Sequence, residues 1–437
     1  MIDFVSGGDR VKPKVVVIGG GPAGYESALS CAAAGFDVTL AERNTLGGTC
    51  VNTGCIPTRI YLQAIKSAEY LRHLNQDGAE NLCGRNLRDF AAAKISSLSY
   101  GIRYLLEKKK VKILSAEAVS IEPGEVILSN GERIRADYII IASGSVSYIP
   151  QGVQYQKLYS PESLLNLSEL PGSLQIVGAG ILGTELAVIL QALGVQVTLY
   201  EKESQLLPGW DEDIGRVLAG NLMGRGIKLV TESERQNFDN AVFCCGRVPV
   251  LPEIHIPENQ RDSLFIIGDA EGKNLTADMA AAQGRAMGHR LAEAEAGKSD
   301  GKNTETGECK TGTSKGRRFD TADIKEAGVQ CVYTPLEAAM TGVLCGEDED
   351  MTESYYSADM APSGMIFDTE GTVVKVVMNR KTHVLKGFHT ASALASEIIQ
   401  KGQFAVSAGM TAEEFLRIIP PHPTEGELLR EAVKRLL

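Results

Sequence analysis

Residues 14–42, KVVVIGGGPAGYESALSCAAAGFDVTLAE, decide the fold. Three valines and an isoleucine in a row read as a strand buried on both faces. A Gly19-x-Gly21-x-x-Gly24 turn follows, then an amphipathic helix stopped at Gly35, then a second β-branched strand closing on Glu42. The same order returns in residues 173–201, SLQIVGAGILGTELAVILQALGVQVTLYE, at a constant offset of 159, so that Gly178, Gly180, Gly183, Gly194 and Glu201 stand where Gly19, Gly21, Gly24, Gly35 and Glu42 stand in the first copy. In such a unit the first glycine permits the tight turn and the second lets a pyrophosphate reach the backbone. The third lets the helix pack close, its positive end toward the phosphates. The acid lies 23 residues beyond the first glycine in both copies, where a carboxylate can bind two ribose hydroxyls. The expected class is α/β, with two Rossmann-like dinucleotide-binding domains. Glu201 would repel a 2′-phosphate, which favours NAD over NADP in the second.

Directly after the first copy comes LGGTCVNTGCIPTR, residues 46–59, leading into a helical pattern. Two cysteines five apart at a helix start can come within bonding range, and the helix N-terminus lowers the pKa of a nearby thiol. A structural disulfide or half of a zinc site are the other uses of such a pair. Zinc normally asks for a second Cys/His pair at matching spacing, and none is evident, so no metal is expected. Redox chemistry is the reading that position favours. Glu42 and Cys50 are so close in the chain that the reactive ring of the first dinucleotide should lie against the thiols. A flavin can exchange electrons with a thiolate on one face and hydride on the other, whereas nicotinamide lacks that versatility. The first unit is therefore expected to hold FAD and the second NAD.

At this point the chain is identified as a relative of the pyridine nucleotide-disulfide oxidoreductases. Leu46–Pro57 resembles their redox-disulfide signature, and the whole chain resembles the family's dihydrolipoamide-oxidising members. Ile141-Ala142-Ser143-Gly144-Ser145 resembles the family's Ala-Thr-Gly strand end, with Ser143 in place of threonine, and Gly246 closes the equivalent strand of the second half. LFIIGDAEGKNLTADMAAAQG, residues 264–284, resembles the second FAD motif. The resemblance implies that Asp269 binds the ribityl chain, that backbone near Ala277 lies close to the flavin, and that Thr49 belongs to the same cofactor site. It implies a Cys50–Cys55 disulfide attacked by dihydrolipoamide at Cys50, with Cys55 thiolate passing electrons on. Pro421-His422-Pro423-Thr424-Glu425-Gly426-Glu427 resembles the family's His-Pro-Thr-x-x-Glu segment. By that likeness His422 is the acid/base, tuned by Glu427, and serves the cysteine pair of the other subunit of a homodimer. Arg59 and Glu185 occupy the positions nearest to a lysine–glutamate pair of related enzymes. An arginine there cannot release its proton.

Four stretches are expected: 1–150, an FAD-binding domain with the redox disulfide; 151–262, an NAD-binding domain; 263–328, a return to the FAD domain carrying a polar insertion; and 329–437, an α+β dimerisation domain. The second nucleotide domain is the shorter. Val111 to Gly144 spans 33 positions through a meander-like alternation, whereas Ile227 to Gly246 spans only 19. Residues 297–318 are polar and low in complexity, which predicts a mobile loop, and Cys309 in it reads as a surface thiol. Vicinal Cys244 and Cys245 end an apolar strand and read as core.

Of 437 residues, 44 are Lys or Arg and 55 Asp or Glu, a net charge of −11. That balance excludes a nucleic-acid or anionic-membrane partner. No window reaches the ~18 apolar residues of a membrane span. The first residues lack the apolar core of a secretory signal, and nine scattered cysteines suit a reducing compartment, so the expected location is cytoplasmic. The expected activity is FAD-dependent oxidation of protein-bound dihydrolipoamide by NAD+. The alternatives are an NAD(P)H-dependent reductase of glutathione, coenzyme A or protein disulfide, or a flavoprotein that has lost NAD use.

Overall fold

The computed structural model of the protein describes residues 12–74, 84–273, 275–299, 317–318, 328–346, 350–357, 366 and 371–437. The first eleven residues and most of the polar stretch 297–318, Cys309 included, lie outside the described residues. The chain divides into two compact units. One comprises Met1–Pro57, Ala92–Val146 and Arg247–Asp320; the other comprises Thr58–Ala91, Ser147–Gly246 and Thr321–Leu437.

The first unit is built on the first glycine repeat. Strands β1 (Lys14–Ile18) and β2 (Asp37–Glu42), joined by helix α1 (Pro22–Ala33), form a parallel pair with Val16 opposite Thr39. The full sheet runs Arg317–Arg318, Leu264–Ile266, Tyr138–Ile141, β1, β2, Lys112–Ser115, all parallel. β1 is buried along Val15, Val16 and Val17 because helices or strands cover both its faces. The long helix Ala277–Ser299 packs along α1, stitched by Ser30, whose hydroxyl donates to Arg285 O at 2.6 Å and accepts from Gly288 N–H at 2.9 Å. A second, smaller sheet joins the antiparallel meander Ala118–Glu122, Glu125–Leu128 and Arg133–Arg135 to Glu253–Ile254.

In the second unit the second repeat forms the centre of a parallel five-stranded sheet. Its order is Lys228–Val230, Gln196–Tyr200, Ser173–Val177, Asn237–Phe243, Gln154–Tyr159. Helix Ile181–Ala192 buries Leu186 through Leu190 against it. Residues 231–236 run from one strand straight into the next with no strand of their own, where the first unit inserts its meander. The same unit holds an antiparallel sheet ordered Val329–Val332, Glu337–Gly342, Leu385–Ser392, Val373–Asn379, Met351–Ser357. Helices Ala395–Ala408, Ala412–Leu416 and Gly426–Lys434 cover one face of it around Phe388, Leu385 and Val376. Lys375, in the middle of this sheet, keeps only 7% of its side chain exposed, with Asp211, Asp213 and Glu353 at 2.8, 3.0 and 3.1 Å.

Candidate active site

The two glycine loops owe their shape to glycine in the same way. A Cβ at Gly24 would lie 1.8 Å from Gly19 O, and one at Gly183 would lie 1.9 Å from Gly178 O. Only bare backbone lets each helix start so close to the strand before it. The helical ladder of α1 begins with Tyr25 N–H to Gly21 O at 2.9 Å, and that of the second copy with Thr184 N–H to Gly180 O at 3.0 Å. The amides ahead of these donors point out of the helix end, as a phosphate requires.

Both terminal acids are held from the loop side. Glu42 accepts from Gly20 N–H at 2.6 Å and from Asn44 N–H at 2.7 Å. Glu201 accepts from Ala179 N–H and Lys202 N–H at 2.7 Å each, and from Glu203 N–H at 3.1 Å. A carboxylate has about four acceptor positions, so each acid can tie down its glycine loop and still receive a ribose hydroxyl.

The cysteine segment grows directly out of the first loop. Gly47 N–H donates to Gly20 O at 2.8 Å, and a Cβ on Gly48 would lie 2.7 Å from Gly21 Cα. Gly48 opens the short helix α2 (Gly48–Asn52), which carries Thr49 and Cys50. Asn52 locks this corner, its Nδ2 donating to Leu46 O at 3.1 Å and Gly48 O at 2.9 Å. Gly54 N–H then turns back to Thr49 O at 2.7 Å, and α3 (Cys55–His73) starts at the second cysteine. No bond joins the two sulfurs in this structure. Hydrogen bonding between the two sulfurs, with burial adding to it, pushes the Cys50 thiol up. The same hydrogen bond holds Cys55 below an ordinary thiol, against burial, with help from backbone N–H at the head of α3. The arrangement thus separates a proton-holding Cys50 from a thiolate-forming Cys55.

Around the remaining FAD-side positions, Ser143 Oγ donates to Val250 O at 2.5 Å, and Val250 N–H donates to Gly144 O at 3.0 Å. Asp269 sits in the turn Gly268–Glu271, and Ala277 is the first residue of the helix Ala277–Ser299. Arg247 was not singled out in the sequence, yet it organises this place. Its Nε donates to Ser145 Oγ at 2.7 Å and its Nη2 to Ser145 O at 2.8 Å, while Ser145 Oγ donates to Asp269 at 2.7 Å. The charge on Asp269 adds a lesser upward push on both thiols, and Arg247 Nε stands 4.0 Å from that carboxylate. The glycine loop, the Glu42 tether and the open helix end suit FAD here. Gly19, Gly21, Gly24, Glu42, Ser143, Gly144 and Asp269 would hold it.

On the second unit, Gly246 O accepts from Tyr148 N–H at 3.0 Å just beyond the strand Asn237–Phe243. Cys244 and Cys245 are half-buried rather than fully core. Burial pushes the Cys245 thiol up to about 11. The guanidinium of Arg59 stacks on the Tyr333 ring, 3.3 Å from its centroid, and Glu185 Oε1 accepts from Tyr333 N–H at 3.0 Å. Arg59 and Glu185 therefore meet at one residue, Tyr333, which the sequence reading passed over. Far along the chain, His422 Nδ1 lies 3.0 Å from Glu427 Oε1, and Glu427 Oε2 accepts from Thr424 N–H at 3.0 Å. Thr424 and then His422 hold the Glu427 carboxyl below its usual value. The imidazole itself is 70% exposed. Among the described residues no group of three or more His, Cys, Asp or Glu could hold a metal ion, and no helix is long and apolar enough to cross a membrane.

Two nucleotide loops, a dithiol rooted in the first, and an α+β domain at the C-terminal end define a flavoprotein disulfide oxidoreductase. The chain belongs to the pyridine nucleotide-disulphide oxidoreductase family, which residues 13–248 match, and residues 329–433 match that family's dimerisation domain. It is an oxidoreductase of a family that works with FAD and NAD(P). Among curated relatives, the dihydrolipoyl dehydrogenase of Bacillus subtilis is 27% identical over 96% of this chain and 97% of its own, and that of Geobacillus stearothermophilus is 26% identical over 99% and 97%. Among solved structures, LpdA of Mycobacterium tuberculosis superposes with a TM-score of 0.79 at 22% identity, covering 98% of this chain and all of its own. The HOCl-induced flavoprotein disulfide reductase RclA of Escherichia coli, as its Cu(II) complex, gives 0.80 at 20% over the same shares.

Proposed function

We propose that the protein oxidises protein-bound dihydrolipoamide with NAD+, as a homodimer. The observation that carries the reading is the rooting of the dithiol in the first nucleotide loop, Gly48 against Gly21 with Cys50 two residues on. The near full-length likeness to dihydrolipoyl dehydrogenases supports the choice of substrate. Bound FAD would supply a two-electron relay between this dithiol and nicotinamide.

The chain's own residues do the rest. In the oxidised protein Cys50 and Cys55 form one disulfide. A dihydrolipoamide thiolate attacks Cys50, and the second lipoyl sulfur displaces Cys50 to close the lipoyl disulfide. Two electrons and two protons then reside on the protein, whose dithiol form has its proton on Cys50 and its thiolate on Cys55. His422 takes the substrate thiol's proton, and Glu427 holds the imidazole by Nδ1 so that Nε2 faces outward. The dyad serves the cysteine pair of a second copy. Glu201 selects NAD+ at the other loop. The net change is dihydrolipoamide and NAD+ to lipoamide, NADH and H+.

The test is an anaerobic titration of the purified holoprotein with dihydrolipoamide, NADH and NADPH in turn. Dihydrolipoamide should bleach the flavin in the parent but not in Cys55→Ser, and NADH should act at lower concentration than NADPH. Turnover of glutathione, coenzyme A or protein disulfides with negligible turnover of lipoamide would overturn the substrate. Failure of NADH to bleach the flavin would overturn the NAD site.

A further inference from the structure

The turn that carries His422 contains a carboxyl group that the dyad does not use. Glu425 is 2% exposed and stands at the N-cap of the helix Gly426–Lys434, yet its side chain caps nothing there. Its Oε2 reaches instead to Leu394 N–H at 2.9 Å. Its Oε1 and the hydroxyl of Ser392 beside it are both buried and make no hydrogen bond of ordinary geometry, although Ser392 acts on the carboxyl as a donor. An unpaired buried polar atom costs about 1–3 kcal/mol, more when charged, so two together at one spot call for an explanation.

The neighbours provide it. Glu337, also buried, accepts from Ser396 N–H at 3.0 Å and Ser396 Oγ at 2.7 Å. Lys66 Nζ lies 3.5 Å from Glu337 and donates to Ala393 O. Lys66, partly exposed, thus pairs with Glu337, and its charge also reaches the buried Glu425. Burial, followed at a distance by the charge of Glu337, pushes the Glu425 carboxyl up, while Ser392, Leu394 and Lys66 pull it down. Oε1 and the Ser392 hydroxyl can satisfy each other in either protonation state: the hydroxyl donates to a carboxylate, and a protonated Oε1 donates to the hydroxyl. Among the described residues, the other side-chain hydrogen bonds of the turn are internal to it: Thr424 Oγ to Pro421 O at 2.8 Å and Thr424 N–H to Glu427 at 3.0 Å. Glu425 is what fastens the turn to the end of the strand Leu385–Ser392.

We infer that Glu425 is a positioning residue: its carboxyl clamps the turn onto the Ser392–Leu394 corner and so fixes where the His422–Glu427 dyad presents its outward nitrogen. The inference rests on the reading of His422 as the base of the dithiol half-reaction.

The experiment compares two half-reactions of the holoprotein: flavin reduction by dihydrolipoamide in rapid mixing, and NADH-to-ferricyanide turnover, which needs no thiol base. Glu425→Ala should slow the first about tenfold or more and leave the second within twofold. Glu425→Gln, which mimics the protonated acid, should restore the first to within threefold of the parent. Ser392→Ala, a milder perturbation of the same corner, should slow it two- to threefold. The inference is overturned if Glu425→Ala stays within twofold of the parent, if both half-reactions fall together in Glu425→Ala and Ser392→Ala, or if Gln is no better than Ala. His422→Gln separates the two levels. A parental dithiol rate in that variant removes the base reading itself, whereas a slow His422→Gln beside a normal Glu425→Ala removes only the positioning role.

Discussion

Gly180→Ala isolates the ligand's demand on the second glycine loop from the protein's own. Gly180 caps the helix Ile181–Ala192 at φ −73° and ψ −169°, angles open to any residue, and a Cβ there meets nothing within 4 Å. Alanine is a poorer N-cap, by up to about 1 kcal/mol, but it also restricts the unfolded chain, which returns about 0.4–1 kcal/mol. The unliganded protein should therefore change by less than about 1 kcal/mol, or roughly 2–4 °C in Tm. A pyrophosphate passing over the same backbone would meet the new methyl. Forcing a methyl into a filled contact costs about 1–3 kcal/mol, so the Kd for NADH should rise about five- to 150-fold at 1.4 kcal/mol per tenfold. Gly183→Ala gives the contrast. Its Cβ would lie 1.9 Å from Gly178 O, so it should lower Tm as well as weaken NADH. Stopped-flow NADH binding, scanning calorimetry and FAD content measure the three quantities. An NADH Kd within twofold of the parent in Gly180→Ala, at unchanged Tm and FAD content, would refute the assignment of this loop to the NAD pyrophosphate.

Further outcomes are expected elsewhere. Cys50→Ala removes the donor that favours the Cys55 thiolate, so the pH midpoint of Cys55 alkylation by iodoacetamide should rise toward the ordinary thiol value of about 8.5; an unmoved midpoint contradicts the pairing. Because the Cys55 pKa is lowered, dithiol reactivity in the parent should persist below ordinary thiol pH and decline only as pH falls through that depressed value. His422→Gln should cut kcat/KM for dihydrolipoamide by about 10²–10⁴ and Glu427→Gln by less, as steady-state kinetics can measure. Lys375→Met strands Asp211, Asp213 and Glu353 around an apolar side chain, and denaturant titration should record a loss of about 3–5 kcal/mol.

The parts of this molecule that the sequence exposes are those written in local order. β-branched runs, glycines at fixed spacing and a terminal acid repeat 159 positions apart because each unit folds on its own strand, turn and helix. The Cys50–Cys55 corner was legible for the same reason, since Gly47, Gly48, Asn52 and Gly54 shape it from within one short segment. What stayed hidden depends on distant partners. Arg247 reaches Ser145 across 102 positions, and Ser145 reaches Asp269 across 124. Tyr333 meets Arg59 and Glu185 only once the C-terminal sheet has formed. Lys375 reads as one polar residue in an otherwise apolar strand, and nothing adjacent announces three carboxylates. Glu425 lies in a Pro-Thr-Glu-Gly run whose composition suggests an exposed turn, yet it is among the most buried acids.

The three backbone tethers at Glu201 bear on attempts to convert coenzyme preference. Swapping that acid for a small or basic residue, the obvious route to accepting a 2′-phosphorylated coenzyme, would also cut the ties to Ala179 and Lys202 that shape the loop beneath the pyrophosphate. A designer would therefore lose grip on both coenzymes before gaining selectivity for either. The productive course is to retain Glu201 as an internal brace and recruit the new positive charge from a neighbouring position.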